Sequence, residues 1–179
     1  DGAPGAPARS EGYVRHVTFE GLNFSDVDYA MYGFNSGWGQ LPSADGPPSD
    51  AALRVSGGWD VRVTGCAFSR LGGGGVHASN GTRWLDVAAS SFEALGESGV
   101  VLSGNATSQV VNAPVRDSSF RSVGELLYSS AAVLLTAASH VRVAANDISH
   151  TARWAVAFHD EPTGHATFNV VEDNRISDT

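Results

Sequence analysis

The sequence holds a single cysteine, Cys66, which excludes an internal disulfide framework and any cysteine-cluster zinc or iron–sulfur centre. Basic residues are also scarce: 11 Lys and Arg stand against 19 Asp and Glu, for a formal charge of -8. No basic stripe is available to neutralise phosphates, which argues against nucleic acid and anionic membrane surfaces as partners. Long apolar runs are missing too. The most extended, residues 131–138 with one Thr inside it, is far below the roughly 20 residues that cross a bilayer. The opening "DGAPGAPARS" has neither the basic start nor the apolar centre of a signal peptide, so the chain is expected to be processed or an excerpt.

What the chain does have is a repeat. "NDISHT" at 146–151 returns as "NRISDT" at 174–179, and the position of Ile148 and Ile176 recurs as Phe24, Phe68, Phe92 and Phe120, with spacings of 44, 24, 28, 28 and 28. Five residues before each anchor stand Phe19, Val63, Val87, Val115, Val143 and Val171; seven before stand Val17, Val61, Leu85, Ala113, Val141 and Asn169. This alternation with period two marks a strand with one buried face. A second apolar strand follows each anchor, at Val76, Val100, Val133 and Val156. Units of 24 to 28 residues built from short strands and Gly, Asn and Ser turns predict an all-β fold, a right-handed parallel β-helix of about six coils. The anchors should form an internal ladder. Asn146 and Asn174, with Ser118, Ser90 and Cys66 at the same place, should sit at the turn before the anchor, in left-handed backbone with stacked side chains.

The expected organisation is a Gly/Pro-rich lead-in over residues 1–12 and a β-helix over 13–179, interrupted at about 33–50 by "GFNSGWGQLPSADGPPSD". Phe34 and Trp38 in that insertion suggest that it packs or binds, since solenoid insertions gather on a binding face. The repeat stops after a strand and turn at Thr179, so continuation beyond it, or a neighbouring chain over the end, is expected.

With "VTFEGLNFSDVDY" at 17–29, "GFNSGWGQ" at 33–40, "DVRVTGCAFSRLGGGGVHAS" at 60–79, "SFEALGESGVVL" at 91–102 and "HVRVAANDISHTARWAVAF" at 140–158, the chain resembles β-helix proteins of the pectate-lyase-like superfamily. More narrowly, it is similar to the β-helix glycoside hydrolases of family 141. The resemblance implies hydrolysis of a cell-wall glycoside, such as a fucoside or xylan, by paired carboxylates, with no family acid carried onto a numbered position here.

Glycoside hydrolysis needs two carboxyl groups about 5–9.5 Å apart. Five residues after the anchor come Gly73, Glu97, Glu125 and Arg153, so Glu97 and Glu125 are expected about 5 Å apart on successive rungs; the plainer reading is an exposed ladder that Arg153 partly neutralises. A second candidate is Asp160 and Glu161 in "HDE", with His159 positioning and Trp154 and His150 as sugar contacts, against which stands a plain polar turn ended by Pro162 and Gly164. Trp38 joins the substrate-binding candidates. "DVD" at 26–28 is a poor calcium site and "GGGG" at 72–75 reads as a turn without P-loop partners. Neither metal nor cofactor is expected. His77 and Cys66 read as structural.

Sequons at Asn23, Asn80 and Asn105 fit a secreted glycoprotein. The expected function is part of an extracellular glycoside hydrolase acting on a polysaccharide; the alternative is a non-catalytic carbohydrate-binding or structural solenoid. Ice binding would need a regular outward Thr ladder, and only Thr151 and Thr179 align.

Overall fold

The computed structural model describes residues 14–28, 51–159 and 166–179. The predicted lead-in and the 33–50 insertion lie outside them. The described residues form three sheets, and every strand pair in them is parallel. Each of the first five coils contributes one stretch to each sheet, and the last described coil contributes to the first two. In the second coil these are Gly58–Thr64, Ala67–Leu71 and Gly74–Ser79; in the third they are Arg83–Ala88, Ser91–Leu95 and Val100–Ser103. Strands of one sheet follow coil order, so the sheets wrap around one axis as a parallel β-helix.

The alternation read from the sequence sets the register. Phe19, Val63, Val87, Val115, Val143 and Val171 pair in one row across the first sheet. The anchors pair across the second sheet from Phe24 to Ile176. Val76, Val100, Val133 and Val156 do so across the third. Inside the tube Phe24, Phe68, Phe92 and Phe120 form a stack with centroid spacings of 4.8, 4.8 and 4.6 Å and nearly parallel planes. The rung spacing of about 4.8 Å forces identical side chains into face-to-face contact. These rings are then offset only as far as the sheet twist allows.

The ladder shapes the opposite wall. A Cβ on Gly75 would lie 2.6 Å from the Phe92 ring, and one on Gly99 would lie 2.7 Å from the Phe120 ring and from Ala132 O. Where the anchors change to Ile148 and Ile176, the matching wall positions become Ala132 and Ala155. With Ala52 at the same place in the first coil, the whole wall row is Gly or Ala. Two of the four glycines read as a turn, Gly74 and Gly75, belong to a strand, and Gly75 serves the Phe92 ring.

Left-handed backbone recurs at several places around the coil, among them Gly57, Asn80 and Ala137 after the third sheet and three further columns. One column runs Gly21, Gly65, Ala89, Asp117, Ala145, Asp173, and another runs Asp26, Arg70, Ala94, Ser122, His150, Asp178. The third includes His16, Asp60, Trp84 and His140. The turn before the anchor is thus left-handed one residue earlier than expected. Asn146 and its equivalents follow that turn with their side chains inward, where they bond the backbone. Cys66 N–H donates to Ser90 Oγ, Ser90 N–H to Ser118 Oγ, Ser118 N–H to Asn146 Oδ1 and Asn146 N–H to Asn174 Oδ1, all at 3.0–3.1 Å. This ladder satisfies buried N–H groups at a bend where no sheet partner is available.

Interior residues of the middle coils are fully buried, whereas Val171 and Ile176 in the last described coil are 43% and 47% exposed. Gly99→Ala is expected to cost about 1–3 kcal/mol, because neither the Phe120 ring nor the Ala132 carbonyl can retreat. Phe92→Ala should cost about 3–5 kcal/mol. Denaturant midpoints measure both, and a Gly99→Ala midpoint equal to wild type would contradict this account of the wall.

Candidate functional site

The bend from the second sheet into the third varies in length between coils, and in the first coil it spans residues 28–52. Leu71 and Val76, Leu95 and Val100, and Thr151 and Val156 are each separated by four residues, but Val123 and Val133 are separated by nine, 124–132. The five additional residues cannot fit on the rung and turn outward. Glu125 N–H donates to Leu95 O, and Leu126 and Leu127 N–H both donate to Gly96 O. The chain is pinned over the previous coil while Leu126 and Tyr128 stand 59% and 64% exposed.

The next coil supplies the other half of this feature. Arg153 Nη1 donates to Ser129 Oγ at 3.1 Å. Its guanidinium carbon lies 4.2 Å from the Trp154 ring centroid and 5.8 Å from that of Tyr128. Both distances lie within cation–π range. Trp154 is itself half-buried against an apolar cluster of Val101, Ala131 and Leu134 on the outside of the third sheet. Trp154 therefore holds Arg153 in place, and the exposed groups are the guanidinium and Tyr128.

A shallow groove along the axis is lined among others by Asp28, Arg70, Gly72 and Gly96, and its lining reaches the extension at Glu125 and Leu126. Arg70 forms a two-point ion pair with Asp26, at 2.7 and 2.8 Å. The Arg70 hydrogen bonds, helped by one from Ser25, hold the Asp26 carboxyl below the usual carboxylate range, and the same bonds raise Arg70. The outer face of the first sheet is instead occupied by its own ion pairs: His16 with Asp60, Arg116 with Asp86 and Asp117, and Arg142 with Glu172. The His16 bond likewise lowers Asp60, and the Asp86 and Asp117 bonds raise Arg116.

The residues picked out from the sequence meet different fates. Glu97 and Glu125 do not stack in register as expected. Glu97 is buried with its N–H on Gly73 O, while the additional residues leave Glu125 exposed over Leu95 and Gly96. Glu125 lines the groove; the other acid of that lining, Asp28, follows the second-sheet strand of the first coil, three coils before Glu125. Trp154 and Arg153 come together, and Tyr128 and Ser129, which the repeat gave no reason to single out, complete the group. His150 is exposed at a left-handed position, φ 53°. His159 is exposed with its N–H on Leu135 O, and Trp38, Asp160 and Glu161 lie outside the described residues. Asp26 of "DVD" is committed to Arg70. Among the described residues no group of three or more His, Cys, Asp or Glu could hold a metal ion.

The three-sheet parallel coil is matched by the model of the right handed beta helix region over residues 51–179. The chain belongs to this family. No curated protein and no solved structure matches it significantly. In this right-handed β-helix the sequons fall on different surfaces. Asn23 is exposed on a strand, Asn80 sits at a left-handed turn with Nδ2 on Ser56 Oγ, and the exposed Asn105 accepts bonds from Thr107 N–H and Oγ1–H.

The lowered Asp26 and Asp60 pKa values set a pH dependence. A carboxyl that titrates lower when folded stabilises fully above its unfolded pKa, and this contribution is lost as pH falls through the folded value. The thermal midpoint should therefore fall as the pH drops below about 4, the unfolded carboxylate range, with a shallower fall in Asp26→Asn. An unchanged slope in that variant would show that the Arg70 pair contributes nothing.

Proposed function

We propose that this β-helix is a carbohydrate-active protein working outside the cell, which holds a polysaccharide along the groove at the bend between its second and third sheets. The observation that carries the reading is the 124–130 extension. It lengthens the bend from the second sheet into the third and exposes Leu126 and Tyr128, the latter beside Arg153, next to a groove whose lining reaches the extension at Glu125 and Leu126. A solenoid that served only as a spacer would gain nothing from exposing two large apolar side chains there. Aromatic and guanidinium groups beside an elongated groove suit a polymer of flat, hydroxyl-rich rings.

Hydrolysis by paired carboxylates, the activity implied by the resemblance to glycoside hydrolases of family 141, is the narrower form of this proposal. It draws support from Glu125 in the groove and from Asp160 and Glu161 following the Trp154–Phe158 strand in the sequence. A binding module without hydrolysis is favoured by one observation, the separation of Glu125 from the other acid lining the groove.

Affinity electrophoresis in gels cast with neutral and acidic cell-wall polysaccharides tests the broad reading. At least one polymer should retard the protein, and Tyr128→Ala should weaken that retardation by about tenfold, the loss of one aromatic contact. Free migration in every polymer would refute glycan binding. Release of reducing ends that disappears in Glu125→Gln would select the hydrolase, and binding without release would select the module.

A further inference from the structure

Of the ten described arginines, Arg62, Arg70, Arg116 and Arg142 hold a carboxylate within ion-pair distance. Arg153 is one of the six that do not, and what distinguishes it is the set of groups that hold its guanidinium. Arg153 forms no salt bridge among the described residues, although the chain carries 19 Asp and Glu. Its guanidinium is instead held by neutral groups: the Trp154 ring, the Tyr128 ring and the Ser129 hydroxyl. The recorded bond uses one N–H of the guanidinium, which carries five in a rigid fork that matches a carboxylate at two points. Stacking on an aromatic ring fixes the plane of that fork before any ligand arrives. The rotamer entropy that a free arginine would lose on binding is therefore already spent.

The surroundings limit how much negative charge the ligand can carry. Glu125 and Asp28 line the groove that reaches the extension beside Arg153, and the formal charge of the chain is -8. At physiological salt, charges interact over about 8 Å. A polymer with a carboxylate on every ring would set several negative charges against these acids for each one that reached Arg153. A mostly neutral polymer with carboxylates far apart would bring one to Arg153 and lay neutral rings past Glu125.

Building on the glycan-binding reading, we infer that Arg153 is the subsite for a single carboxylate on an otherwise neutral polysaccharide, such as a sparse uronic acid branch. Tyr128 and Ser129 border that subsite, and Trp154 acts as a positioning residue that holds the guanidinium in place.

Affinity electrophoresis in glucuronate-substituted xylan, the same xylan after chemical reduction of its carboxyl groups, and polygalacturonate tests this. Wild type should bind the substituted xylan most tightly, lose about tenfold or more on carboxyl reduction, and bind polygalacturonate more weakly. Arg153→Gln should lose the same factor on substituted xylan and nothing on the reduced polymer, while Arg153→Lys, which keeps the charge without the fork, should fall between. Equal wild-type binding to the acidic and reduced xylans would overturn the carboxylate subsite and leave glycan binding standing. Tightest binding to polygalacturonate would overturn the argument from spaced charge. No binding to any of the three would overturn this inference; the wider glycan reading falls only if the broader polymer set also fails. The polymer comparison needs no variant, so it decides even if Arg153→Gln does not fold.

Discussion

Everything in this chain depends on the stacking of one coil on the next at the spacing of paired parallel strands. A single coil has an apolar lining with nothing inside to meet it. Burial comes only when Phe68 lies on Phe24, Phe92 on Phe68 and Phe120 on Phe92. The stack then dictates other choices. It makes glycine the wall residue at Gly75 and Gly99, and it fixes the angle at which the second sheet leads into the third. At the bend before the anchors, hydroxyl and amide side chains complete the backbone bonding that a turn would otherwise leave open.

Because the lining is fixed in this way, chemistry is confined to places where a coil departs from its neighbours. The 124–130 extension is such a departure, and its cost is low. Leu127 stays buried, the backbone bonds to Leu95 and Gly96 are kept, and the strand rejoins the register at Val133. The core loses nothing while Leu126, Tyr128 and Ser129 become available at the surface. Arg153, one coil further on, is drawn to them by the rings rather than by an opposite charge. That makes the corner chemically unlike the ion-paired face of the first sheet.

The lining was readable from the sequence because its period is simple and its residues are large. Every anchor from Phe24 to Ile176 stands where the alternation put it. The candidate site was not, because equal spacing concealed unequal coils. The steps from Phe92 to Phe120 and from Phe120 to Ile148 are both 28 residues, yet the first coil carries its additional residues between the third and first sheets and the second carries most of them between the second and third sheets. Counting five residues past each anchor therefore aligned Glu97 with Glu125 wrongly. Left-handed positions were equally hidden, since Ala89, Ala94, Arg70 and Ala145 occupy conformations that glycine or asparagine would have announced. Trp154 was picked out as an aromatic contact, but the group it forms with Arg153 is completed by Tyr128 and Ser129, which lie one coil earlier and are neighbours only in the folded chain.

The central claim is that the break in register at residues 124–130 makes the ligand-contacting corner, and amide hydrogen exchange followed by mass spectrometry, with and without substituted xylan, tests it most directly. The account predicts slow exchange in the strands around Phe68, Phe92 and Phe120 in both states, faster exchange at 128–129 than at the bonded amides of 125–127 in the free protein, and protection gained over 125–129 and around Arg153 when the polymer is added. Protection gained only on the outer face of the first sheet, with 125–129 unchanged, would contradict it.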